Sequence, residues 1–235
     1  MSAPRMPIRA RFARPLYRRS SLPFRLAFQA VEAVRRGKLS TYKGNGLASS
    51  YVSGHTQFTL NARGVFAYQR VYSILSNFNF DTAPEALRVL SIGPRTEIEL
   101  YYLWLLGGFA WENIEGVDLV SWSSKIKLAD MSLELPFDDN VFDVIVASHC
   151  LEKSGNPEKT RNEIRRVVKS GGRVLVAGSP RRAGDPLHEQ VPYEARYFKE
   201  GLHGFIDLYG LSLPDIEYMN AHSPHGWEII FRVKK

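Results

Sequence analysis

Four apolar, strand-like runs in this sequence end on polar or charged side chains. LRVLSI leads into Gly93, Pro94, Arg95, Thr96 and Glu97. IEGVDLV holds Asp118 and Leu119, and IKLADM ends on Asp130 and Met131. FDVIVAS ends on Ser148, with His149 next. Open parallel sheets bind ligands beyond the carboxyl ends of their strands, and all of these residues fall there. A carboxylate so placed accepts hydrogen bonds from ligand hydroxyls or amines, and an imidazole takes up a proton. Asp118 and Asp130 have a second reading, as acids that cap turns.

The stretch RVLSIGPRTEIEL is the turn where a Rossmann-like sheet grips a nucleotide-bearing ligand, yet it holds a single glycine. Its charges are informative. Thr96-x-x-Glu99 is a capping box, which starts a helix with Glu97 and Glu99 in the first turn. Each acid stabilises the helix dipole by about 0.3–1 kcal/mol. The same acids repel a phosphate, and a dinucleotide must put its pyrophosphate on that helix end. An NAD(P) oxidoreductase or a nucleotide-sugar epimerase is disfavoured on that ground.

The elements that position these residues follow from periodicity. Short apolar strands at 87–92, 114–120, 126–131, 142–148 and 173–179 alternate with helices at 97–107 and 155–172. Asn156 caps the second helix, Pro157 takes its first position and Gly171 lies past its end. Alternation of this kind predicts a parallel sheet covered on both faces. Residues 193–210 read as a helix, and 213–220 and 226–235 as a closing strand pair at the sheet edge. Ahead of the sheet, residues 1–20 are Pro- and Arg-rich and read as an irregular arm. Residues 22–39 read as an amphipathic helix ended by Gly37, with Arg35, Arg36 and Lys38 complementing its dipole. Residues 40–58 read as a loop and 60–79 as a helix, with Val65, Tyr68, Val71, Tyr72, Leu75 and Phe78 on a core stripe.

The chain has 235 residues and a net charge of +7. Residues 1–43 carry eleven Lys/Arg against one acid, Glu32, so this arm holds +10 and the rest of the chain −3. A nucleic-acid-binding protein more often carries the basic face on its body, so nucleic acid is a disfavoured partner. A basic amphipathic helix fits either an anionic membrane surface or packing on the body with solvated arginines. Apolar residues of the arm also suit a homodimer interface. No apolar run approaches the ~20 residues that span a bilayer, and the start lacks a signal peptide's apolar segment. The single cysteine, Cys150, excludes an internal disulfide and reads as a small buried packing residue. The expected location is cytoplasmic, at the inner face of the membrane if the arm binds lipid. No Cys/His set has metal-ligand spacing, so no metal is expected.

The stretch LADMSLELPFDDNVFDVIVASHCLEKSGNPEKTRNEIRRVVKSGGRVLVAGSP resembles the class I S-adenosylmethionine-dependent methyltransferase family, in motifs over roughly residues 86–180. IGPRTE, GVDLVSWS and LPF look most like enzymes of bacterial surface-polysaccharide biosynthesis. The resemblance implies an α/β, Rossmann-like, doubly wound and mostly parallel seven-stranded sheet with an antiparallel C-terminal strand, plus an N-terminal helical extension. It divides the chain into a basic arm and helix (1–40), a loop and helix covering the active site (41–85) and a methyltransferase domain (86–235). S-adenosyl-L-methionine is the implied cofactor. Gly93 and Pro94 would approach its methionine and ribose parts, and Asp118 with Leu119 its ribose hydroxyls. Asp130 would take the adenine amino group, with the backbone of Met131 beside the ring, and Ser148 and His149 would face the methyl group. The family usually has an acid where this chain has Ser91, and glycines at Arg95 and Glu97. Arg95 is then expected at the cofactor's carboxylate and Glu97 at its ammonium, or else as a solvated residue and a helix cap.

The implied reaction is O-methylation of a sugar or glycolipid hydroxyl, with another small molecule as the main alternative acceptor. His149 is the candidate proton acceptor, or a structural histidine under the cofactor. His188, Glu189, Arg181 and Arg182 in the loop after the fifth strand are further candidates. No Asn-Pro-Pro-aromatic motif follows the fourth strand, which disfavours amino-methylation of nucleic acids. A non-catalytic binding module is the alternative from another functional class.

Overall fold

A strand buried on both faces needs apolar residues on both sides, and VLSI and FDVIVAS supply them. The computed structural model describes residues 6–43, 69–94, 96–178, 201–223 and 226–235. The central strands are β2 (Val89–Ile92), β3 (Ile114–Asp118), β5 (Ile126–Leu128), β6 (Phe142–Ser148) and β7 (Val168–Gly178). They pair in parallel in the order β5-β3-β2-β6-β7. β9 (Gly226–Arg232) joins β7 antiparallel, and β8 (Ile216–Ser223) joins β9 antiparallel at the edge. This is the expected seven-stranded, mostly parallel sheet with its closing hairpin. Strand order reverses between β2 and β6, which puts the ligand crevice of such a sheet at their carboxyl ends.

Side chains alternate between two cores. Leu90, Ile92, Ile145, Ala147, Val174 and Val176 face one layer, with Ile164 and Val167 of α5 (Pro157–Val167) and Phe205 and Tyr209 of α6 (Leu202–Tyr209). Val89, Val144, Val146 and Leu175 face the other, with α3 (Gln69–Ser76) and α4 (Glu97–Tyr102). Val71, Leu75 and Phe78 of the expected stripe are buried there; Val65 and Tyr68 lie outside the described residues. Full burial of such a side chain is worth about 1.5–3 kcal/mol.

The arm departs from expectation. Residues 8–19 are not irregular but form helix α1 (Ile8–Arg19), with Pro15 inside it and Ala10, Ala13 and Tyr17 buried. The buried stripe consists mostly of small alanines, which is why the apolar pattern was weak. Two arginines fasten α1 to the body. The helix at 97–107 is α-helical to Tyr102 and widens to a π-turn at Leu103–Gly107. Its end leaves carbonyls to be satisfied, and Arg9 donates to the carbonyls of Gly108 (2.8 Å) and Phe109 (2.9 Å), Arg14 to that of Leu106 (2.6 Å). Helix α2 (Leu22–Arg35) follows and buries Phe28 and Glu32. It ends at Arg35, and Gly37 is no left-handed cap. Gly37 instead donates its N–H to Trp122 O at 2.9 Å, and a Cβ there would lie 2.9 Å from that same oxygen.

The loop after β5 is anchored by α5. Glu163 accepts the Leu135 amide (2.9 Å) and the Arg166 guanidinium (2.7 Å), while Arg166 reaches the carbonyls of Leu135 and Phe137. Burial opposes the charge on Glu163, but the bonds from Arg166, Leu135 and Lys159 outweigh it and hold the carboxyl below its ordinary 4.5. A depressed acid contributes stability above its unfolded value and loses it as pH falls through the folded one. The thermal midpoint of the protein is therefore expected to drop as pH falls below 4.5. Glu163→Gln should flatten that dependence and cost about 1–3 kcal/mol at neutral pH, because Arg166 and the Leu135 amide lose a charged acceptor. Melting curves of both proteins across this range check it.

Candidate active site

The ends of β2 and β6 meet at one glycine. Gly93, with φ of +70°, donates its N–H to Val117 O at 2.8 Å, and a Cβ there would lie 2.6 Å from the Cβ of Cys150. A side chain at 93 would push the two strand ends apart, so only glycine suits both the backbone and the space. Cys150 donates from Sγ to Ile92 O at 3.0 Å, the buried packing role expected of it. Pro94 is buried, and Gly116 of β3 makes room for it: a Cβ at 116 would sit 3.0 Å from Pro94 Cγ. Arg95 lies outside the described residues, as do His188, Glu189, Arg181 and Arg182.

Thr96 caps α4 as expected, its Oγ1 accepting the Ile98 amide at 3.1 Å. Glu99 comes back under the turn and accepts the Ser91 hydroxyl. A carboxylate therefore does lie at the end of β2, carried by the helix rather than by the strand. Glu97, expected at a ligand's ammonium, has its carboxylate engaged from three sides. Tyr101 donates its hydroxyl (2.5 Å), Ser123 donates its own, and Arg35 of α2 lies at 3.1 Å. Burial and the Glu97 charge push the Tyr101 hydroxyl up.

Asp118 is buried at the end of β3, and its Oδ1 accepts the amides of Leu119 (2.6 Å) and Val120 (3.4 Å). Two short strands, β1 (Ser40–Thr41) and β4 (Val120–Ser121), pair antiparallel beside it. Tyr42 adds a bond from its amide to Leu119 O at 2.7 Å. Residues 37–42 thus run as a strap along 119–122, immediately after Asp118. Glu32 locks the strap's root: it accepts from Trp122 Nε1 at 3.4 Å, and Arg36 lies over the Trp122 ring at 4.1 Å. Burial raises the Glu32 carboxyl, and a hydrogen bond from Thr96 opposes that rise.

Asp130 Oδ1 accepts the Ser132 amide at 2.8 Å, the turn-capping contact named as its alternative role. The backbone of Met131 is held by Thr160, whose hydroxyl donates to Met131 O at 2.8 Å. Ser154 Oγ lies 2.6 Å from Thr160 Oγ1 and 3.3 Å from Ser132 Oγ, so buried hydroxyls tie the loops after β5 and β6 together.

Ser148, half-buried, ends β6. His149 then takes φ of +54°, a left-handed conformation that is uncommon outside glycine and tolerated by Asn, Asp and His. Its amide donates to Ala177 O at 2.7 Å, and its buried ring sets Nδ1 4.0 Å from Glu152 Oε1. Strained backbone of this kind concentrates at functional sites. Glu152 belongs to the Ser-His-x-Leu-Glu run that carries the family resemblance, but the sequence assigned it no role, because its nearness to the His149 ring depends on the turn that follows β6.

Among the described residues, acids outnumber cations around Cys150 at this end. The Cys150 thiol is pushed well above its ordinary value, first by complete burial and then by Glu152, Glu99 and Asp118, with Lys153 opposing. That donor set suits a ligand with cationic groups and hydroxyls, and repels a phosphate. Among the described residues no three Cys, His, Asp or Glu side chains form a metal site.

A family model described as a methyltransferase domain matches residues 108–176. That range holds Asp118, Asp130, Ser148 and His149 but not the turn after β2. The ubiquinone/menaquinone biosynthesis C-methyltransferase UbiE of Vibrio vulnificus is 43% identical over 54 residues, 23% of this chain and 21% of that protein. Ajmaline N-methyltransferase of Rauvolfia serpentina is 29% identical over 70 residues, 29% of this chain and 24% of that protein. The matched segment thus spans about a quarter or less of these curated relatives. A SAM-dependent methyltransferase structure from Aquifex aeolicus has the same fold, with TM-score 0.53 and 16% identity over 77% of this chain and 97% of that one. A chain from the complex of the Haloferax volcanii Trm112 methyltransferase activator gives TM-score 0.56 and 14% identity over 77% and 98%. None of these relatives carries the resemblance to polysaccharide biosynthesis.

Proposed function

We propose, from the premise that this chain belongs to the class I S-adenosylmethionine-dependent methyltransferase family, that it methylates an acceptor hydroxyl whose proton passes to His149. The observation that carries the reading is the placement of three carboxylates at the strand ends: Glu99 on Ser91 at the end of β2, Asp118 on the amides that follow β3, and Glu152 4.0 Å from His149 after β6. When bound, S-adenosylmethionine supplies an activated methyl group on a sulfonium. The chain's task is then to align donor and acceptor and exclude water, worth about 7–11 kcal/mol of a barrier.

In this reading Asp118 accepts both ribose hydroxyls, its orientation preset by the Leu119 and Val120 amides. Asp130 and the Met131 backbone flank the adenine, on loops tied by Ser132, Ser154 and Thr160. Gly93, Pro94 and Ser148 approach the methionine end, and Arg95 receives its carboxylate. Glu97 acts on the ammonium at a distance or as a positioning residue, since Arg35, Tyr101 and Ser123 already hold it. His149 takes the acceptor's proton, and Glu152 stabilises the imidazolium that forms.

The acceptor we favour is a hydroxyl of a sugar or glycolipid. Helices α1 and α2 present apolar and basic residues outward, which suits an acceptor met at a membrane surface. A second reading, a small-molecule C- or N-methyl acceptor, has support in the names of the relatives UbiE and ajmaline N-methyltransferase. The deciding experiment is calorimetry of the purified protein with S-adenosylmethionine and its demethylated product, with mass spectrometry for carried-over cofactor. Saturable binding is the expected result. Absence of binding at high cofactor concentration would make the chain a non-catalytic module with this fold.

A further inference from the structure

The arm helices turn their apolar residues the wrong way for a simple packing role. Ile8 and Phe12 of α1 are each 71% exposed and Leu16 55%, at i, i+4 and i+8, so they form one outward stripe. Leu22, Leu26 and Val34 of α2 are exposed too, Val34 at 87%. The inward faces are already filled by Ala10, Ala13, Tyr17 and Phe28. The exposed charges on residues 8–38 are all positive: Arg11, Arg18, Arg19, Arg35, Arg36 and Lys38. The one acid of the arm, Glu32, is buried.

At the turn between the two helices lies a cleft of about 620 Å³, lined by Arg18, Arg19, Arg25, Ser21, Ser73 and Tyr72 among others, with no acid among the described residues. Arg18 Nε donates to the Tyr72 hydroxyl at 3.0 Å, which fixes that guanidinium at the cleft wall. Three guanidiniums with serine and tyrosine hydroxyls match a phosphate group, the reverse of the acid-rich site at the strand ends. Leu22, which lines the same cleft, joins the basic pocket to the apolar surface.

We infer that α1 and α2 dock on an anionic phospholipid bilayer, with the α1–α2 cleft taking a headgroup phosphate while Ile8, Phe12 and Leu16 enter the acyl boundary. Charge complementarity selects this occupant: an amphipathic surface whose exposed charges are all positive fits anionic lipid and would repel a second copy of itself. The inference deepens the reading of these helices as membrane-facing and is independent of whether the strand-end site binds a cofactor.

Sedimentation of the full chain with phosphatidylcholine vesicles, with and without phosphatidylglycerol, tests it. Pelleting is expected only with phosphatidylglycerol, and it should weaken with salt. Phe12→Glu with Leu16→Glu should abolish it. Arg18→Gln with Arg19→Gln should weaken it about tenfold or more while leaving the apolar stripe intact. Circular dichroism and calorimetry with S-adenosylmethionine on the same variants separate loss of fold, and failure of the methyltransferase reading, from loss of docking. Equal pelleting with phosphatidylcholine alone would overturn the inference. So would indifference to the stripe variants, or competition by inorganic phosphate that those variants leave unchanged. A dimer in light scattering that Phe12→Glu dissociates would give the face to a second copy and also overturn it.

Discussion

Replacing His149 with Asn is expected to lower methyl transfer about 10²–10⁴-fold, the range spanned by loss of a positioned proton acceptor. Asn is the informative choice because the residue sits at φ of +54°. Alanine would add backbone strain of about 1–2 kcal/mol to the loss of the imidazole, whereas Asn tolerates the left-handed region. The His149→Asn backbone would keep the amide bond to Ala177 O that ties the end of β6 to β7. Cofactor affinity by calorimetry should therefore stay at the wild-type value while turnover collapses, a loss in kcat rather than in binding. Glu152→Gln should lower kcat by a smaller factor, since its carboxylate acts through the ring 4.0 Å away. If His149→Asn retains wild-type turnover, His149 is structural and the proton goes elsewhere.

Asp118→Ala is expected to weaken S-adenosylmethionine binding about 150-fold. Two charge-assisted hydrogen bonds to the ribose are lost, each worth about 1.5–3 kcal/mol, and about 3 kcal/mol corresponds to that factor. The same carboxylate also orders the turn, its Oδ1 accepting the amides of Leu119 and Val120. Asp118→Asn separates the two roles. Its amide oxygen still accepts the Leu119 N–H, so the melting temperature should be near wild type, yet the charge that strengthens a ribose contact is gone. Unchanged cofactor affinity in both variants would return Asp118 to a turn-capping role. The measurement is a direct titration and needs no acceptor.

The sheet was legible because its strands are continuous apolar runs, and a strand buried on both faces has no other way to be written. The placement of Asp118, Asp130 and His149 beyond the strand ends was legible for the related reason that parallel strands put their carboxyl ends on one side. The rest was written in side chains whose meaning depends on partners far along the chain. Ala10 and Ala13 look unremarkable until packed, so α1 read as an irregular arm. Ser91 read as a missing acid, because nothing local says that Glu99 will supply one. Gly37 read as a helix end, since its tight approach to Trp122 is set by a residue eighty-five positions later. Arg9 and Arg14 read as surplus positive charge, and the carbonyls they satisfy belong to residues 106, 108 and 109.

If α2 docks on a membrane as inferred and Asp118 takes the proposed ligand, the strap of residues 37–42 links the two sites. Its root is Arg35 and Glu32 of α2, and its tip bonds the residue beside Asp118. Whatever factor a seated strap contributes to ligand affinity at Asp118, the ligand must return to the seating of the strap. A surface that favours the seated strap would then raise affinity at the sheet, and a filled site would favour the arm geometry that meets the surface. On those two proposals, docking and loading would be linked through residues 37–42.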